Sequence, residues 1–304
     1  MRSAPPAVRL CLGALCLLPL AAIAAQNDNA PALLRMKFRQ GEASKYQVNI
    51  QATLNLAQTL PTNQPHQPPP QPMVVPINTS LLMQQQVTRV LSNGNGVLTI
   101  AFLSQQTTVN GSTAGTGANL PPITMTLSPL GKIASITGIP HGDMNSMLSP
   151  TSMLGLEMFL LELFLPSKPV RPGEAWTDSV HLSTLSGTGT AKSKFLRYET
   201  VGHYRTARIR TELTLPINTT ANMAGEPVGR GSGAVSGVSG AVHMITERDF
   251  AVAEGKVIRS TGNGSITAVI KPLRASGPAR PGMGIMPRST RVSLKMTIST
   301  DLVP

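Results

Sequence analysis

Residues 82–109 read LMQQQVTRVLSNGNGVLTIAFLSQQTTV, and this stretch decides the fold class. Two runs, Leu82 to Leu91 and Val97 to Val109, flank Asn93-Gly94-Asn95-Gly96. Asn-Gly steps tolerate the positive φ angles of tight hairpin turns, so the spacing predicts an antiparallel hairpin. Upstream, Tyr46, Val48 and Ile50 alternate with Gln47, Asn49 and Gln51, the period of two of a strand with one wet face. Downstream, Ile123-Met125-Leu127 and Ile133–Thr137 flank Ser128-Pro129-Leu130-Gly131-Lys132, a second hairpin whose turn is supplied by proline and glycine.

The second half repeats this order. Ala191 to Thr200 and His203 to Leu215 pair across Val201-Gly202, and Gly240 to Phe250 and Lys256 to Ile270 pair across Val252 to Gly255. Gly131-Lys132 through Gly138 aligns without a gap with Gly255-Lys256 through Gly262, which suggests a duplicated unit. Val292, Leu294, Met296 and Ile298 alternate with polar residues and give a last strand over Thr290 to Leu302. Between the strands, Thr59 to Thr79 is proline-rich, and 111–122, 216–237 and 275–288 have loop composition.

One segment breaks the pattern. Ser149 offers an N-cap, Pro150 a first helical position, and Met153 to Leu165 is almost continuously apolar before Pro166, which predicts a helix over 150–165. Only Glu157 and Glu162 interrupt it, about 140° apart around the axis. A helix without a wide polar face needs cover on most sides. The readings are a core helix between lobes, a ligand lid, or a partner-binding helix. On the ligand reading, Met153, Leu156, Phe159, Leu160 and Phe164 are the apolar binding residues.

Composition excludes an α-rich enzyme: the 304 residues include 27 glycines and 26 prolines, with 13% charged and 3% aromatic side chains. Forty-one per cent apolar residues are enough for a core. Arg2 and Arg9 precede an apolar run from Leu10 to Ala25 that ends in small residues, the layout of a signal peptide cleaved after Ala24. Cys11 and Cys16 both fall within it. The mature chain is therefore expected to be cysteine-free, exported to the periplasm or beyond, and without a transmembrane span.

No Gly-x-Ser-x-Gly elbow, His-Glu-x-x-His or dinucleotide fingerprint is present. The five histidines are scattered, so no metal, cofactor or catalytic residue is expected, and a hydrolase without a motif is the remaining enzymatic alternative. Charge is the clearest departure from average, at +12. Lys192, Lys194, Arg208 and Arg210 cluster on one expected hairpin, and Lys256, Arg259, Arg291 and Lys295 follow along an acid-free stretch. These eight form the candidate site for an anionic envelope polymer. Too few aromatics are available for base stacking, which argues against nucleic acid.

Pro169, Pro172, Gly173 and Trp176 form a Pro-x-x-Pro-Gly-x-x-Trp connector. With the repeated Gly-Lys turns, it resembles exported bacterial proteins of unassigned function built from two β-rich halves. The architecture is also similar to half-barrel periplasmic carriers of lipoproteins and lipids, which implies apolar cargo on a curved sheet. The expectation is a mainly β protein: two antiparallel curved sheets, half-barrel or sandwich-like and possibly duplicated, with one apolar connecting helix. Its parts are a signal peptide (1–24), an N-terminal β lobe (25–140), a helix and connector (141–175) and a C-terminal β lobe (176–304). The expected function is non-catalytic binding or carriage of an apolar or amphipathic ligand in the cell envelope, with polyanion binding as the alternative.

Overall fold

Alternating apolar and polar side chains build twelve strands in the computed structural model, which describes residues 28–59, 71–116, 121–138, 162–182, 187–222, 235–272 and 289–304. The first half supplies β1 (Ala43–Thr59), β2 (Met73–Val90), β3 (Gly96–Val109), β4 (Ser112–Thr116), β5 (Ile123–Leu127) and β6 (Ile133–Thr137). The second supplies β7 (Ala175–Leu182), β8 (Gly187–Val201), β9 (Tyr204–Asn222), β10 (Val235–Ala251), β11 (Lys256–Pro272) and β12 (Ser289–Val303). The protein is mainly β, and among the described residues all strand pairs are antiparallel.

Two expectations are corrected. The halves form one sheet rather than two, ordered β6-β5-β3-β2-β1-β12-β11-β10-β9-β8-β7 with β4 on β3. β1 and β12 zip together from Lys45↔Val303 to Thr59↔Ser289, so each half satisfies the other's edge and neither closes alone. The apolar helix is not seen: Glu162 to Leu165 are not helical, and the rest of 150–165 lies outside the described residues, as does the signal-peptide segment. Leu163 N donates to Gly131 O and Leu165 N to Leu130 O, so those amides serve the neighbouring turn instead of a helix.

Strands also run further than loop composition suggested. Pro76 lies inside β2 and Pro216 inside β9. Each sits where a neighbour's ladder ends: β3 stops at Val109 opposite Ile77, and β8 pairs β9 no further than Thr190↔Thr214. A missing N–H is tolerated at such a position.

The two halves also share a second short sequence repeat. Arg39-Gln40-Gly41-Glu42-Ala43 and Arg171-Pro172-Gly173-Glu174-Ala175 form the same turn ahead of β1 and β7. Glu42 N donates to Arg39 O and Glu174 N to Arg171 O, both at 3.0 Å. Gly41 N donates to Val87 O at 2.8 Å and Gly173 N to Phe195 O at 2.7 Å. Val87 N and Phe195 N return the bond to Glu42 O and Glu174 O.

The core lies along one face of the sheet. Tyr46, Val48, Ile50, Ala52 and Leu54 of β1 are buried while the residues between them are not. Phe102 and Met125 on β3 and β5 line the same cavity as Met244 and Arg248 on β10. Since β5 and β10 stand far apart in the strand order, the sheet curls round its apolar face.

Candidate functional site

The interior of the curl is lined mostly by apolar side chains, with a group of polar ones on the β10–β12 side. β1, β2, β3 and β5 present Tyr46, Val48, Leu81, Met83, Phe102 and Met125. Opposite them, β10, β11 and β12 present Thr246, Arg248, Ser260 and Thr300 among Met244, Val257 and Ile298. Arg248 pairs Ser260 across the β10–β11 ladder, and Ser260 pairs Thr300 across β11–β12. Three polar side chains therefore stand in one row across β10, β11 and β12, with Thr246 beside it.

Between the walls is a cavity of about 80 Å³. Ligand pockets usually run to roughly 300–1,000 Å³, so occupancy requires side chains to move. Met36, Met83, Met125 and Met244 are on its lining, and thioethers repack readily.

The cavity is bounded by two crossing segments. Residues 162–165 form a strap between the sheet's two free edges, where Leu163 and Leu165 bond to the β5–β6 turn as above. The Trp176 indole of β7 donates Nε1–H to Phe164 O at 2.5 Å, and Lys132 Nζ lies 2.7 Å from Asp178 Oδ2, tying the same turn to β7. The chain before β1 crosses likewise: Ala32 bridges Val170, Met36 N donates to Pro129 O and Lys37 N to Gly255 O. Arg35 donates to Pro166 O and Ser167 O, clamping one segment on the other.

Burial dominates the electrostatics. It pushes the Arg248 guanidinium down to about 10, opposed by the Glu162 carboxylate. The same desolvation raises Glu162, against a bond from Ile133 N and the charge of Lys132. Tyr46 is raised by burial, with Glu42 adding to it; its hydroxyl donates to Val257 O at 3.2 Å.

Of the apolar candidates, Phe164 is buried against Val180, Ala191, Leu213 and Met244, whereas Met153, Leu156, Phe159 and Leu160 lie outside the described residues. The basic candidates divide. Arg208 binds Glu247 at 2.8 Å and Glu199 at 3.1 Å, Arg210 lies 3.8 Å from Glu247, Lys256 3.4 Å from Glu42 and Arg259 2.7 Å from Asp249. Lys192, Lys194, Arg291 and Lys295 are exposed. The first two are on β8 and the last two on β12, four strand spacings away, about 19 Å. No single basic stripe results.

Arg248 was missed in the sequence because it is one of many arginines; its place on the inward phase of β10, in line with Val242, Met244 and Phe250, was the available signal. Catalytic geometry is slight: Thr214 Oγ1 is 3.5 Å from His243 Nδ1, and His243 Nε2 is 4.0 Å from Glu212. All three stand on adjacent strands of the wet face, where such contacts are ordinary ladder neighbours. Among the described residues, no three His, Cys, Asp or Glu are placed to hold a metal ion, and no helix is long and apolar enough to cross a membrane.

No family model matches the chain, and no curated protein matches it. Among solved structures, DynF from the dynemicin biosynthesis pathway of Micromonospora chersina aligns over 90% of this chain and 85% of its own, at 8% identity and a TM-score of 0.19. That agreement is too low to transfer a fold or a role.

Proposed function

We propose that this is an exported, non-catalytic binding protein that holds an apolar or amphipathic ligand inside its curled sheet. The observation that carries the proposal is one cavity lined mostly by methionine, aromatic and aliphatic side chains from both sides, with Thr246, Arg248, Ser260 and Thr300 gathered on the β10–β12 side. An apolar lining with a few convergent polar groups is the usual constitution of a small-molecule site. The signal-like N-terminus supports export, and a cysteine-free mature chain suits it.

Titration with N-phenylnaphthylamine, which fluoresces in apolar surroundings, tests the proposal. A saturable rise in emission, reversed by a competing amphiphile, is expected. Emission that stays flat, or rises without saturating, contradicts it.

A further inference from the structure

Glu162, Leu163, Phe164 and Leu165 have the layout of an amphiphile, one carboxylate followed by apolar groups. The strap also sits where a ligand would. Glu162 and Phe164 line a space of about 10 Å³ that Arg248 shares, and Leu163 lines the larger cavity, whose wall again includes Arg248. Arg248 is 6% exposed, and a charge so deeply buried requires compensation. Glu162 is a carboxylate on the lining of the same space of about 10 Å³.

Resting on the binding proposal above, we infer that the ligand is a single-chain amphiphile with a carboxylate head, which takes the place of Glu162 beside Arg248. Its chain then lies against Tyr46, Val48, Met83 and Met125. One guanidinium suits one carboxylate, which its planar fork can grip with two hydrogen bonds. Ser260 and Thr300, in the same row, add hydroxyl donors. The strap is thus an internal stand-in, and the ligand carboxylate enters the space that Glu162 and Arg248 line together.

The test compares myristic acid with myristyl alcohol, by displacement of the fluorescent probe from the purified protein. The acid is expected to bind at least about tenfold more tightly, the usual scale of a hydrogen bond to a charged group. Glu162→Gln, which removes the competing charge while keeping size, is expected to tighten the acid several-fold and leave the alcohol unchanged. Arg248→Gln is expected to abolish the preference; if that variant does not fold, the first two measurements still decide. Equal affinities for acid and alcohol, with no response to Glu162→Gln, overturn the carboxylate assignment and leave the binding proposal standing. Failure of both probes to bind overturns the binding proposal itself.

Discussion

Gly131 and Gly255 occupy equivalent turns of the two halves, and each accepts the main chain that leads into the opposite half. Gly131 O receives Leu163 N at 3.0 Å, and Gly255 O receives Lys37 N at 3.1 Å. Both glycines have positive φ, 77° and 70°, and a Cβ on either would collide, with Leu163 in one case and Lys37 in the other. Gly41 and Gly173 share the positive φ but have open space round them. Replacing either of the latter by alanine is expected to cost about 1–2 kcal/mol of backbone strain alone. Gly131→Ala and Gly255→Ala are expected to cost about 1–3 kcal/mol more, from overpacking. Urea unfolding of the four variants gives the comparison; equal losses would show that the crossing segments do not press on these turns.

Trp176 reports on the strap directly. Its indole N–H bond to Phe164 O ties β7 to the segment that carries Glu162 and Leu163. Trp176→Phe is expected to lose about 1 kcal/mol, the net worth of one hydrogen bond. In the unaltered protein, a bound amphiphile is expected to shift tryptophan emission, since displacement of Glu162 moves the carbonyl that the indole holds. An unchanged spectrum at saturation would place the ligand away from the strap.

Glu199 makes stability depend on acidity. Burial pushes its pKa up, but bonds from Arg208 and Arg197 outweigh this and hold it below the ordinary value of 4.5. A carboxylate with a lowered folded-state pKa binds fewer protons folded than unfolded, so its contribution is present above pH 4.5 and lost as pH falls through the lowered value. Glu199→Gln is expected to unfold more easily at neutral pH, by about 1 kcal/mol given its partial exposure, and the difference should vanish in acid. A gap independent of pH would contradict the pairing.

Asp249 and Arg259 separate structural charge from surface charge. Arg259 donates Nε–H to Asp249 Oδ2 at 2.9 Å, with Nη2 at 2.7 Å from the same oxygen, and the Asp249 side chain is only 4% exposed. Arg259→Gln leaves a buried carboxylate without that partner and is expected to cost about 3–5 kcal/mol. Lys192→Gln, on the wet face of β8, is expected to stay within about 0.5 kcal/mol. Thermal melts check both, and retention on a heparin column shows whether Lys192 and Lys194 hold a polyanion; retention that weakens as salt rises and is lost in a Lys192/Lys194 double variant would favour that alternative function, and salt-insensitive or absent retention would exclude it.

The hairpins were legible because their signals are local. Asn93-Gly94 fixes one turn, Gly131-Lys132 another, and the two-residue alternation through Tyr46, Val48 and Ile50 marks the inward face. What joins the halves was not legible: the fifteen-residue register of β1 on β12 links residues about 250 positions apart, and strand pairing at such separation follows from turn geometry and burial, not from local pattern. Helical reading of Leu163 to Leu165 failed for a related reason. A continuous apolar run fits a buried extended segment as well as a helix, and Gly131 and Leu130 offer carbonyls that settle it for the former. Arg248 carried no motif; only the curl of the sheet sets it opposite Met83 and Met125.

The central claim is that the interior holds an amphipathic ligand, and native mass spectrometry of the protein purified gently from the cells that make it tests it most directly. A stoichiometric adduct that solvent extraction releases as a long-chain carboxylic acid is the predicted result. A clean ligand-free mass that stays unchanged after incubation with myristic acid would contradict it.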